Sequence, residues 1–297
     1  MTTCPMSELA LFFACLEHNY QLNSSEYPLI SIIDINNFKD RMTSFSNNGI
    51  GEDIGSDMLY DPIMEPLVQS SLAHFLYMKK NCIDFKGYEN GDNLPDKMPF
   101  HPNYIRFRFM DSLIANKASI TLSSFKLYDF SPSTTYMSRD KLMLKVNELL
   151  QNPIIKELVY SFFKKLQVDG DTLDRILGFV QTKTKTTRGI GLLYFILMDL
   201  YLEHVDHFIY ESINKSGLNC FMGRCLNTAI LGFTDKRTVP KFNKILQLDC
   251  ALPAWGLTAK VRTGTRGGRV LRPWRGKLYI NIEGHLQWER PESIIDM

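Results

Sequence analysis

Apolar residues along this chain follow a helical period at first and change rhythm near residue 100. Over residues 60–80 they fall at Ile63, Leu67, Leu72, Phe75 and Leu76, which predicts a helix. Residues 1–20 read as a short amphipathic helix. The β-branched run "PLISIIDI" (28–35) predicts a strand, and the Gly/Asn/Ser-rich "SFSNNGIGEDIGSD" (44–57) a loop. A second polar stretch, "KGYENGDNLPDKMPFHPN", sets a boundary near residue 100. Beyond it "YIRFRFMDSLI" and "SITLSSFKLYDF" predict strands. "RDKLMLKVNELLQNPIIKELVYSFFKKL" predicts a helix broken or bent at Pro153, and "DTLDRILGFVQ" a short helix with Asp171 at its N-cap. Residues 187–213, "TRGIGLLYFILMDLYLEHVDHFIYESI", open on a basic glycine-containing turn, run apolar, place Asp199 in the middle and then turn amphipathic. "CFMGRCLNTAILGFT" reads as strand–turn–strand, and the last sixty residues are strand- and turn-like. Interleaved helices and strands, with no internal repeat, give an α+β class.

Composition excludes several classes. An apolar fraction of 44% and a charged fraction of 22% are those of a globular protein, which argues against disorder. The net charge of +2 hides an asymmetry: residues 1–100 carry 14 acidic against 6 basic side chains, so the remainder carries +10. A back half facing something anionic is the reading. The six cysteines have no disulfide-scaffold spacing and read as reduced thiols, against a secreted protein. The N-terminus has no basic residue ahead of its short apolar run, against a signal peptide, and its lack of Arg argues against a presequence. No apolar run reaches the length of a membrane span, so a soluble protein is expected.

The order of elements from 115 to 235 resembles the palm of reverse transcriptases, most closely that of group II intron-encoded reverse transcriptase/maturases. Residues 129–142, "DFSPSTTYMSRDKL", keep Asp129 and the Asp140-Lys141-Leu142 ending of the family's first metal-binding motif. "TRGIGLLYFILMDLYLEHVDHF" follows the family's glycine turn and apolar helix from Thr187 onward, with Tyr201 and Leu202 kept and Asp199 where the family has Asn. "MGRCLNTAILGF" (222–233) resembles the catalytic hairpin and keeps Arg224 and Leu231-Gly232-Phe233. The resemblance implies a divergent fingers-like region at 1–100, a palm at 101–235 flanked by helices at 142–166 and 192–214, and a C-terminal segment at 236–297.

The resemblance also exposes losses. Polymerases clamp two divalent metals with carboxylates from two palm strands. Here the family's paired aspartates fall on Asn227 and Thr228, which leaves Asp129 as the one residual metal candidate and the site vestigial. The glycine turn has drifted to Arg188-Gly189-Ile190, and the acidic front shows no basic cluster for an incoming nucleotide. No cofactor is expected, and Mg²⁺ only if polymerase activity survives.

The C-terminal segment carries the binding signal. Residues 236–277 hold 11 basic side chains against Asp249 alone. Lys260, Arg262, Arg266, Arg269, Arg272, Trp274, Arg275 and Lys277 are the candidate RNA contacts, through guanidinium–phosphate pairing and aromatic stacking. Two candidates have plain structural readings. Asp199 is either a pKa-tuned functional group or a polar residue bonded locally or solvated. His204, His207, Cys220 and Cys225 form a passable zinc list, although the resemblance puts the cysteines on a hairpin whose ends need not converge on that helix.

The expectation is an RNA-binding, maturase-like pseudoenzyme that assists folding or splicing of an organellar intron or other structured RNA. The family and the missing targeting segment place it in a mitochondrion or plastid, with ribonucleoprotein partners and no membrane. The alternatives are a divergent reverse transcriptase using Asp129 with Asp199, Asp206 or Asp235, a structural subunit of an organellar ribonucleoprotein, and an unrelated α+β interaction module. Only about sixty residues follow the hairpin, too few for the helical thumb of family maturases.

Overall fold

A computed structural model describes residues 5–24, 27–48, 63–81, 102–132, 139–168, 188–244 and 257–291. The protein is mixed α+β and separates into two units that do not follow chain order. The first takes residues 1–101 and 139–200, the second 102–138 and 201–297.

The first unit is helical: α1 (Pro5–Asn23), α2 (Ile32–Asn48) and α3 (Glu65–Lys80). Residues 28–35 do not form the expected strand. Ser31 Oγ accepts from the Asp34 N–H at 3.3 Å, and Asp34 Oδ2 accepts from the Ser31 N–H at 2.8 Å. This reciprocal box satisfies helix-end donors that a β-branched run alone would leave open, and it starts α2. Ile35, Phe38 and Met42, at helical spacing, are then its buried face. The helix runs through residues 44–48, where a loop was expected; residues 49–57 lie outside the described residues, as do the predicted helix at 171–181 and Thr187.

After α4 (Pro102–Lys117) and β1 (Ser124–Pro132), both in the second unit, come α5 (Arg139–Leu149) and α6 (Pro153–Val168). The expected break at Pro153 is there. Asn152 caps α6, its Oδ1 accepting from the N–H groups of Ile154 (3.0 Å) and Ile155 (3.2 Å). α7 (Arg188–Tyr201) is buried at every position from Leu193 to Leu200, which explains a segment apolar on all sides. No helix among the described residues is long and apolar enough to cross a membrane.

The second unit is built on a four-stranded antiparallel sheet, order β2-β3-β1-β4, with β2 (Cys220–Cys225), β3 (Thr228–Phe233) and β4 (Leu257–Thr265). The sheet unit also holds α4, α8 (Glu203–Ser216), α9 (Thr238–Lys244) and the hairpin β5–β6 (Lys277–Ile280, Leu286–Glu289). The predicted strand at 104–114 is α4. Its alternation covers only Ile105 to Phe109, whereas Arg106, Met110 and Leu113 recur at helical spacing on the buried side, and Pro102 suits a first helical position. The second predicted strand begins only at Ser124. Met110 and Leu113 of α4 join Phe125, Leu127 and Ile230 of the sheet and Leu278, Ile280 and Leu286 of the hairpin in one core. Of the two helices expected to flank the sheet, the one at 142–166 belongs to the first unit. The one at 192–214 is divided into α7, which lies in the first unit up to Leu200, and α8, which braces the sheet: Tyr210 Oη donates to the Met222 carbonyl at 3.1 Å.

Candidate nucleic-acid interface

Strand pairing places Asp129 at one corner of the sheet. Thr228 on β3 and Lys260 on β4 lie directly opposite it. In an antiparallel sheet such partners share a face, so the three side chains project from the same side of the sheet. Asp129 Oδ1 accepts from Thr228 Oγ1 at 3.1 Å, and its Oδ2 accepts from Arg262 Nη2 at 2.7 Å. Both carboxylate oxygens are engaged.

The two-residue turn Leu226–Asn227 joins β2 to β3 beside this corner. Leu226 takes φ 54°, a left-handed value unusual for leucine, and the turn is tied down on both sides. Asn227 gives its carbonyl to the Phe130 N–H (2.8 Å) and its Nδ2 donates to the Phe130 carbonyl (3.1 Å). Arg224, almost fully buried, pairs with Asp206 of α8 through Nε (2.8 and 2.7 Å) and Nη2 (2.6 Å). That bidentate pair fixes the strand leading into the turn.

Sequence reasoning missed Arg106. It sits on α4, buried, and its Nη2 donates to Asn227 Oδ1 at 3.3 Å while its guanidinium lies 5.3 Å from the Trp274 ring centroid. Burial pulls its pKa down; Cys225 and Asp129 act in the opposite sense. Guanidinium pKa values are so high that it stays cationic. Among the described residues, the corner therefore sets the Asp129 carboxylate beside Arg106 and Arg262, with Lys260 opposite it in register.

Such a donor set does not suit the divalent metals that the resemblance implies. A hard cation wants several free anionic oxygens, yet Asp129 is already paired and the Asn227 side-chain oxygen, Oδ1, accepts from a guanidinium. The other acids proposed for a rearranged site are paired as well: Asp199 with Lys80, Asp206 with Arg224 and Asp235 with Arg237. Asp199 is thus neither solvated nor bonded only to its neighbours; it is a buried member of an ion pair inside the first unit. The zinc list does not assemble. Cys220 and Cys225 stand at opposite ends of β2, roughly 16 Å apart at strand rise, and His207 pairs with Glu211 at 2.9 Å. Among the described residues no three His, Cys, Asp or Glu side chains form a metal-holding group.

The basic C-terminal segment is part of this same unit. β4 pairs with β1 along its whole length, so Lys260 and Arg262 belong to the sheet. Beyond it, residues 266–276 connect β4 to β5. Lys260, Arg266, Arg269, Arg272, Arg275 and Lys277 are exposed, and Arg262 is half-buried against Asp129. Arg266 donates to the Ile282 carbonyl at 2.6 Å, and Lys277 pairs with Glu289 at 2.7 Å. Trp274 is half-buried, edge-on to Trp288 at 6.2 Å. Its ring is engaged within the fold.

No protein-family model matches this chain, and no curated protein matches it either. Fold and site define an α+β protein with a cation-rich sheet corner and an adjoining arginine-rich connection.

Proposed function

We propose that this protein is a maturase-like RNA-binding protein that assists the folding or splicing of an organellar intron or another structured RNA, without polymerising nucleotides. One observation carries the reading: among the described residues, the corner where β1 meets the 226–227 turn sets the Asp129 carboxylate beside Arg106 and Arg262, with Lys260 opposite it in register. The reverse-transcriptase-like palm is supported by the strand order β2-β3-β1, which sets Asp129 beside that turn. Where the resemblance calls for negative charge to hold metals, the protein carries net positive charge, suited to phosphates. The exposed arginines that continue from β4 extend the same field. A mitochondrial or plastid location and ribonucleoprotein partners follow from the resemblance.

Replacing Asp129 by Asn separates binding from catalysis. The substitution releases Arg262, so affinity for a structured RNA is expected to hold or rise, with a salt dependence steeper by up to about one phosphate contact. Primer extension with Mg²⁺ and deoxynucleotides is expected from neither protein. Extension by the wild type that disappears in Asp129→Asn would establish a polymerase and overturn the reading.

A further inference from the structure

We infer that the turn Arg272–Gly276 is a preset phosphate clasp for the backbone of folded RNA, with Arg272 and Arg275 as contacts and Arg106 and Trp274 as positioning residues. The inference rests on the RNA-binding reading above. Leu271 and Leu278 exchange both backbone hydrogen bonds at 2.9 Å, which pinches the base of the loop shut. Within it, Trp274 takes φ 48°, ψ 37° and Arg275 φ 64°. Two successive left-handed residues that are not glycine are strained, and surrounding contacts must over-determine them.

Those contacts are specific. Pro273 is buried, Trp274 packs edge-to-face on Trp288, and the Arg106 guanidinium lies on the Trp274 ring. At Gly276 a Cβ would come within 2.1 Å of the Trp288 ring, so only glycine lets the chain pass. The strain is held by Pro273, Trp274 and their neighbours, and Arg272 and Arg275 are the exposed residues of the turn. Guanidiniums grip phosphates in a bidentate manner, and a turn fixed beforehand loses little freedom on binding.

The same contacts select the ligand class. Arg106 and Trp288 engage the Trp274 ring. The aromatic ring within this turn is thus taken up inside the fold and is not an open platform for a base. Recognition falls to phosphates, whose spacing is fixed in folded RNA and variable in a single strand. Arg106 also bonds Asn227, which links the clasp to the Asp129 corner.

The test compares a labelled RNA hairpin with an unstructured oligo(U) of equal length, by anisotropy across a salt series, on the full chain. The hairpin is expected to bind roughly tenfold tighter or more. The double variant Arg272→Gln/Arg275→Gln is expected to lose about two from the log–log salt slope and to bind roughly tenfold more weakly. Arg106→Met should weaken binding in the parent and add nothing in the double variant; if it fails to fold, Trp274→Leu serves the same cycle. A parental slope in the double variant would overturn the clasp while the RNA-binding reading stands. Equal losses from Arg106→Met in both backgrounds would reduce Arg106 to a structural role and overturn its positioning part. Equal binding of oligo(U), with quenched tryptophan fluorescence, would replace backbone recognition by stacking. No binding of either RNA would remove the clasp and the proposed function together.

Discussion

A chain ending at Asp235 is expected to lose the folded state of its second unit. Such a cut removes β4, which pairs with β1 from Ser124 to Pro132. It also removes Leu271, Leu278, Ile280 and Leu286 from the core around Phe125 and Leu127. Burying each such side chain contributes about 1.5–3 kcal/mol, so the four together contribute about 6–12 kcal/mol. A whole domain is stable by only about 5–15 kcal/mol. The cut also strips Arg262 from Asp129 and Trp274 from Arg106, leaving a buried guanidinium without its aromatic neighbour. Near-ultraviolet circular dichroism and amide exchange of the purified fragment check this. A native-like aromatic spectrum with protected β1 amides would contradict it. The RNA contacts are therefore to be tested by neutralising single arginines, since deletion removes the scaffold with the charge.

Glu8→Ala is expected to destabilise the first unit by about 3–5 kcal/mol, the usual cost of breaking a buried charge pair. Glu8 is 1% exposed and holds three elements together. Its carboxylate meets Lys79 of α3 at 2.8 Å and accepts from the N–H groups of Gln151 (2.9 Å) and Asn152 (2.7 Å) in the corner between α5 and α6. Burial raises its pKa, but the Lys79 and backbone hydrogen bonds, with the charge of Lys79, outweigh that and leave it below its ordinary 4.5. A carboxyl depressed on folding contributes stability above its unfolded pKa and loses it as pH falls through the folded one. Acid should therefore shrink the gap between wild type and Glu8→Ala. Urea unfolding followed by far-ultraviolet circular dichroism at neutral and acidic pH measures both effects; a difference below about 1 kcal/mol at neutral pH, within the range of an ordinary surface pair, would contradict the account.

How much was legible in the sequence depended on whether the signal was local. The break at Pro153 and the 220–234 hairpin were readable because proline and a two-residue turn between apolar runs act over a few positions. The 28–35 strand failed because its isoleucines spoke louder than the Ser31–Asp34 box. The 104–114 strand failed because a five-residue alternation was weighed above the longer helical spacing of Arg106, Met110 and Leu113. β4 looked like an appended basic tail for a different reason. Its inward positions include Gly264, where a Cβ would lie 2.1 Å from the Phe125 ring, so the apolar mass of that face comes from the neighbouring strand. Asp129, Asn227 and Thr228 were picked out in the sequence; in the fold Asp129 meets Thr228, and Asn227 bonds the backbone of Phe130 next to them. What they meet was not legible: Arg106 reaches Asn227 across 121 positions and Arg262 reaches Asp129 across 133, contacts that only strand order and helix packing bring about.

The central claim is that this protein grips folded RNA through cations of its second unit. The most direct measurement is the affinity of the full chain for a structured, intron-like RNA across a salt series. If Lys260, Arg266, Arg269, Arg272 and Arg275 each neutralise one phosphate, log affinity should fall linearly with log salt, with a slope of about −4 to −5. A flat dependence, or no binding at about 50 mM salt, where phosphate contacts are strongest, would contradict the account and turn this basic surface toward an acidic protein partner.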